Sequence, residues 1–435
     1  MREQMSIYIG EKIRHLRIYR KLSQSELVEG ICSVAYLSRI ENGKTKPSKQ
    51  FLDKISKRLD VTIDIMDHNS STSLQDKIVN VLNTVEGESK SLSNEGEALL
   101  RMSLLEFIQP SLLIRVFSVL LNHSMTKGEM NDADTIYRSN INLIDVKDNT
   151  EFKDLNEQQI YFRLHNILGK YFYSKQNFSQ AHYHYSISEN LNVDNTTIES
   201  AKLYYNISLV KQRIMEDKSI ALYYCKKSYD LFLKLGDTEN IVNVLVTLGV
   251  QYHLLSQYDK SLRTLQETER YLADLNVKNK NRLFTMITYN IGKVFQKLEK
   301  YDEAIVYYNK SLANLESDVS KVYVLKGLLE IKLLKKEWTE VKDLLDTCLH
   351  LVDQHQMSYL DIELHVIKAI VFKQRGDFLN YEKLLKRTIE RAEKDSHSIL
   401  IKKMAEELAH YYFELKFYKK SSEYYLMALN HSSSV

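Results

Sequence analysis

Apolar residues in the first sixty positions recur at helical spacing in four short blocks. Ile9, Ile13 and Leu16 fall at i, i+4 and i+7 and predict a first helix with one apolar face. Ser23 followed by Glu26 is a capping box, and it opens a second helix over 24–29 whose Leu27 turns inward. Ser33 is the N-cap of a third helix over 34–41, with Leu37 and Ile40 inward. Asn42-Gly43 stops that helix, because both residues tolerate positive φ. A fourth helix runs from about 48 to 59, with Phe51, Leu52, Ile55 and Leu59 on its inner face.

Beyond about residue 75 the pattern changes to a repeat with a period near 40. Segments from Asn166, Asn206, Val246 and Tyr289 each carry a Gly or apolar residue, a polar turn, then a small residue about twelve positions later. Those small residues are Ala181, Ala221, Ser261 and Ala304, and weaker copies place Ala133, Val341, Tyr381 and Ser421 at the same point. The pattern predicts pairs of antiparallel helices in which the small residue lets the two cross closely. A large aromatic from the first helix is expected to fill the neighbouring gap. The polar run 69–73 is the best linker. The expected organisation is a four-helix N-terminal domain over 1–66, a linker over 67–74, and roughly nine helix pairs over 75–435, all-α throughout.

Composition agrees. Two prolines and twelve glycines in 435 residues leave few helix breakers. The 44% apolar and 27% charged content suits a folded chain. The net charge of +3 is unevenly spread, since residues 1–66 hold 13 Lys/Arg against 8 Asp/Glu. That positive excess sits where phosphate contact would need it. Cys32, Cys225 and Cys348 are far apart and read as reduced, with no metal-ligand spacing. The start of the chain lacks the apolar run of a signal peptide and no stretch is long enough to span a membrane, so a cytoplasmic location is expected.

The middle pair of N-terminal helices fits a helix-turn-helix, which presents one helix to the DNA major groove. The outward residues Ser33, Ala35, Tyr36 and Arg39 are the candidates for base edges, since Arg can grip guanine and an Ala methyl can meet the thymine methyl. Gln24, Ser38, Asn42, Lys44 and Lys46 fall where helix starts and loops would meet phosphates. Ser23-Gln24-Ser25-Glu26-Leu27 and Leu37-Ser38-Arg39-Ile40-Glu41-Asn42-Gly43-Lys44 resemble the phage-repressor-like (XRE/Cro) family. That resemblance implies a structural ion pair between Arg17 and Glu41, and a dimer on an inverted repeat.

The repeats resemble tetratricopeptide repeats. Gly169, Gly249 and Gly292 stand at that family's glycine position and Ala181, Ala221 and Ala304 at its alanine position. The family's unit is shorter than 40 residues, so longer helices or loops are implied. Such arrays coil into a right-handed superhelix whose concave groove is lined by the first helices. Groove candidates are Asn166, Asn206, Asn243 and Asn290, which could bond a peptide backbone in both directions, with Arg163, Lys170, Arg213 and Lys293 as cations for a ligand carboxylate. Four repeats at about 10 Å spacing span roughly 30 Å, or about nine extended residues.

Joined in one chain, the two modules resemble the peptide-sensing regulators of Gram-positive bacteria, the Rap/Rgg/NprR/PlcR/PrgX group, with segment 31–44 most like the NprR/PlcR branch. The resemblance implies a quorum-sensing transcription factor that binds double-stranded DNA and a short re-imported peptide, forms a homodimer or higher oligomer, and needs no cofactor or metal. The alternative it implies is a Rap-like role in docking a phosphorelay response regulator, where Asn156, Gln158 or Gln159 could supply an amide. An independent enzyme is disfavoured, because no P-loop, GxSxG, HExxH or Rossmann fingerprint occurs. His182 and His184, two apart on a helix, cannot share one face to hold a metal.

Overall fold

The computed structural model describes residues 10, 13, 14, 17, 22–59, 68–87, 91–104, 108–144, 146, 152, 154–215, 217–277, 279–315, 317–395 and 397–431. Every regular element among them is helical. The chain divides into two compact units, Met1–Asn195 and Thr196–Val435.

The first unit opens with helices α1 (Gln24–Val28), α2 (Val34–Glu41) and α3 (Lys49–Leu59). Residues 10, 13, 14 and 17 are also helical. The capping box forms in full. The Ser23 hydroxyl accepts from the Glu26 N–H, and the Glu26 carboxylate accepts from the Ser23 N–H at 2.6 Å. Ile13, Leu27, Leu37, Ile40, Phe51, Leu52, Ile55 and Leu59 meet in one buried core. Ile9 and Leu16 lie outside the described residues. The second helix stops one residue early, because Gly30 at φ 69° turns the chain. Arg58 closes its end, donating to the Glu29 carbonyl at 2.6 Å and the Leu27 carbonyl at 3.2 Å, which satisfies carbonyls the helix leaves open.

The same unit continues through α4 (His68–Gly87), α5 (Asn94–Ser103), α6 (Pro110–Lys127), α7 (Met130–Asn140), α8 (Leu155–Ser174) and α9 (Phe178–Leu191), with a 3₁₀ turn over Ile141–Leu143. The polar run 69–73, expected to be an irregular linker, lies inside α4. Ser, Thr and Asn lower helix propensity only slightly, and no Gly or Pro interrupts the run.

The second unit holds α10 (Ile198–Ile214), α11 (Ser219–Leu235), α12 (Thr238–Leu254), α13 (Tyr258–Ala273), α14 (Lys280–Lys297), α15 (Tyr301–Ala313), α16 (Asp318–Leu334), α17 (Trp338–Gln354), α18 (Ser358–Gln374), α19 (Phe378–Lys394), α20 (Ser398–Glu414) and α21 (Tyr418–Asn430). Longer helices account for the 40-residue period, since most of these are 17 residues long.

All eight expected close-crossing positions are buried, from Ala133 to Ser421, including the bulky Val341 and Tyr381. The wedge runs opposite to expectation. The aromatic comes from the second helix and enters a gap left by glycine on the first. A Cβ on Gly169 would meet the Tyr185 ring at 2.6 Å, and one on Gly292 would meet Tyr308 at 2.8 Å. Glycine supplies the gap because it is the residue without a side chain, and the ring four residues after the small position is the one that reaches it.

Seven residues beyond the small position lies a second row that sequence inspection missed: Ser188, Ser228, Thr268, Ser311, Cys348 and Thr388, all buried. Ser188, Ser228 and Ser311 donate across the seam to the carbonyls of Phe162, Ala201 and Thr285 at 3.0, 2.8 and 3.2 Å. A side chain in so narrow a seam must be small, and its hydroxyl must find a partner there.

The turns inside the pairs share one geometry. Gln176, Ser256, Glu299, Lys336 and Lys416 all take φ between 58° and 63°, and Gly376 stands at the same point. The next N–H reaches back to the first helix, as from Asn177 to the Phe172 carbonyl at 2.9 Å. This is the Schellman closure.

Candidate DNA-binding and ligand-binding sites

Helix α2 is held by its inner end. Glu41 is almost fully buried and accepts from Arg17 through Nε at 2.7 Å and Nη2 at 3.0 Å. Arg17 also donates to the Leu22 carbonyl at 3.0 Å. The implied structural ion pair is therefore present. It ties the first helical segment to the last turn of α2 and fixes how the outer face of α2 is presented.

That outer face is narrower than expected. Ala35 and Arg39 are exposed, and Arg39 has no ion-pair partner among the described residues. Ser33 is exposed, but its hydroxyl accepts from the Tyr36 N–H at 3.3 Å as the helix cap. Tyr36 is half-buried, with its ring edge-on to Phe51 at 5.5 Å, so it belongs partly to the core. Among the phosphate candidates, Lys44 and Lys46 stand exposed beyond Gly43. Gln24 instead turns its amide onto Glu41 at 2.6 Å, and Asn42 donates to the Ser38 carbonyl at 2.8 Å. Val34, passed over in the sequence, is 43% exposed at the first turn of α2 beside these residues. An apolar residue at a helix start with no inward partner is the signal that could have found it.

The groove candidates of the first unit are engaged within it. Arg163 donates to Glu86 at 3.0 Å, beside Arg115, and Lys170 to Asn122 at 2.8 Å. Asn166 is half-buried one turn from each. Gln158 donates to the Leu191 carbonyl at 3.1 Å. His182 and His184 do point apart: His184 turns inward to His165 at 3.0 Å, while His182 meets Ser186. Burial lowers the His184 pKa to about 4.

In the second unit the first helices share a face. Along α14 it reads Arg282, Met286, Tyr289 and Lys293, spaced by four, three and four residues. The matching stretch of α16 is Tyr323, Lys326 and Glu330, and that of α18 is Tyr359 and Glu363. Bonds cross between them, Lys326 to Glu363 at 2.6 Å and Gln296 to Glu330 at 2.9 Å. Tyr359 on α18 also lies within electrostatic reach of Arg213 on α10, four pairs earlier. Helices so far apart in sequence can interact only if this face curves inward.

Lys293 sits in that face. Solvent reaches it, yet the surrounding walls displace enough water to lower its pKa, against the pull of Glu330 and Glu363. Its ammonium is 5.7 Å from the centre of the Tyr289 ring. Burial raises the Tyr289 and Tyr359 hydroxyls, and it raises the Cys225 and Cys348 thiols to about 12, which leaves those thiols unreactive.

The four asparagines do not form one row. Asn206 has the register of Asn166, fifteen residues before the small position. Asn243 lies one turn earlier and meets Arg282 at 3.5 Å. Asn290 takes the register of Thr247 and Gly327, which neighbouring helices cover, and bonds its own helix at the Met286 carbonyl at 2.8 Å.

A helix-turn-helix family model matches residues 13–66. The chain is 21% identical over 411 residues to the transcriptional activator NprA of Geobacillus stearothermophilus, covering 92% of this chain and 98% of NprA. It is 22% identical over 276 residues to the regulatory protein RapD of Bacillus subtilis, covering 62% and 76%. The apo form of the quorum sensor NprR from B. thuringiensis superposes with a TM-score of 0.62 at 16% identity, over 84% of this chain and 99% of that one. NprR in complex with its cognate peptide NprX gives 0.62 at 15%, over 82% and 98%. The fold is thus the helical-repeat fold of NprR, and the resemblance to the peptide-sensing regulators holds in sequence and in structure. NprA and RapD are both regulators by name. Among the described residues no helix is long and apolar enough to cross a membrane.

Proposed function

We propose that this protein is a cytoplasmic quorum-sensing transcription factor, in which a short peptide held by the repeats controls operator binding by a homodimer. The observation that carries the reading is the pairing, in one chain, of an exposed Ala35/Arg39 face braced by Arg17–Glu41 with an inward-curving face of tyrosines and charges in the second unit. Arg39 reads a base, and Ala35 and Val34 offer methyl groups to thymine. Lys44 and Lys46 meet the backbone, and two copies match an inverted repeat. The similarity to NprA and NprR supports both halves.

Peptide can shift DNA affinity only through different affinities for two arrangements of the repeats. Selection from a random double-stranded DNA library by the full-length chain, with and without peptide extract from a dense host culture, tests this. An enriched inverted repeat whose occupancy changes with extract is the expected result. Enrichment of no sequence, or of one indifferent to every peptide fraction, would refute it. Arg39→Ala should cost about 1–3 kcal/mol and relax preference at one position of each half-site.

The similarity to RapD favours a second reading, docking of a phosphorelay response regulator. Pull-down of response regulators with and without extract separates the two.

A further inference from the structure

A cleft of about 630 Å³ opens between the N-terminal halves of α14 and α16, closed at one end by the connection around Asn314 and Leu315. That volume is in the range of ligand sites. Tyr289 and Tyr323 line it, with Met286 and Val324. Among the described residues its lining contains Lys280 and Arg282 but no carboxylate. Lys280 is already engaged, donating to the carbonyls of Ala273 and Leu275 at 2.7 and 2.9 Å. Arg282 is different. It is exposed, and its guanidinium has only long contacts, 3.6 Å to the Met286 sulfur and 3.5 Å to Asn243. No carboxylate lies within ion-pair distance of it among the described residues. On the same face Lys326 is matched by Glu363.

We infer that this cleft is the specificity pocket of the peptide site. It takes an aromatic or large aliphatic side chain against Tyr289 and Tyr323, and Arg282 grips a carboxylate adjoining that side chain. The inference rests on the reading of the second unit as a peptide receptor. Two neighbouring tyrosines offer ring faces and edges to an aromatic guest. A guanidinium with only long neutral contacts, and no carboxylate beside it among the described residues, offers two parallel N–H donors to an incoming carboxylate. The carboxylate is the peptide's own C-terminus or an Asp or Glu side chain.

Selection of random heptapeptides on the full-length chain provides the test. The enriched peptides should carry a large apolar or aromatic residue beside an acidic residue or at the C-terminus. Arg282→Gln, at an exposed position, should leave the circular dichroism unchanged and weaken these peptides about ten- to a hundredfold. It should not weaken analogues lacking the acid, and C-terminal amidation against Asp-to-Asn exchange tells the two carboxylates apart. Tyr323→Ala should abolish the preference for the large side chain but keep that for the acid. Enrichment without an acidic or apolar preference, or an Arg282→Gln loss equal for acidic and neutral analogues, overturns the pocket while leaving the receptor reading intact. Enrichment of no peptide by a folded chain that still selects DNA overturns the receptor reading and the pocket with it.

Discussion

Tyr308 is clamped between two glycines, and that clamp can be tested by filling one side. Its ring is fully buried. A Cβ added to Gly327 on α16 would lie 2.6 Å from the ring Cζ and 2.9 Å from the hydroxyl oxygen. Carbon atoms rest about 3.5–4.0 Å apart, so the overlap is close to 1 Å. The ring cannot retreat, because Gly292 faces its other side, where an added Cβ would come within 2.8 Å. The hydroxyl is also fixed, donating to Gln296 at 2.6 Å. Overpacking of this kind costs about 1–3 kcal/mol, whereas Gly→Ala in a helix would by itself gain about 1 kcal/mol. Gly327→Ala should therefore destabilise by up to about 2 kcal/mol. Tyr308→Leu in the same chain should recover part of that, giving a coupling of about 1 kcal/mol. The single tryptophan, Trp338, begins the next helix and makes a local probe. Urea unfolding of the full chain followed by its fluorescence measures the effect. A Gly327→Ala chain more stable than the parent, or a double variant with additive effects, would refute the clamp.

Further predictions concern the caps, the ion pair and the histidines. Arg17→Ala leaves the buried Glu41 with Gln24 alone and should cost about 3 kcal/mol, seen as faster amide hydrogen exchange across α1 and α2. Lys336→Gly, at a turn held at φ 59°, should stabilise by about 1 kcal/mol in the same urea assay. His184 is held neutral in the fold, its pKa lowered from 6.5 to about 4. Its contribution is complete above pH 6.5 and is lost as pH falls towards 4, up to about 3 kcal/mol. His184→Phe should flatten the fall in urea midpoint between pH 6.5 and 4.5, leaving the part due to His253, which burial also lowers to about 4. An unchanged slope would show that His184 titrates normally.

The helices over 24–59 were legible nearly to the residue, because their signals are local. The Ser23 box, the Ser33 cap and the inward Leu37 and Ile40 each act within one or two turns, and each is found in place. The repeat was legible for the same reason, as one buried position returning every forty residues or so. The charged candidates were less so. Arg163 and Lys170 look like free groove cations in sequence, but their partners Glu86 and Asn122 lie on helices 77 and 48 residues away. Likewise Arg282 drew no notice, since an arginine announces nothing until the surrounding helices prove to lack a carboxylate for it.

By itself the sequence determined helix content, the start and stop of α2, and the small positions at which paired helices cross. Periodicity, capping and residue size act over a few neighbouring residues, and no distant group need agree. Only the tertiary structure decided which ring enters which glycine gap and which cations are matched. It also decided that Asn290 bonds back to its own helix while Tyr289, Lys293 and Tyr323 share the inward face. Those outcomes depend on how whole helices turn about their axes when packed, and a one-residue change of register swings a side chain about 100° away.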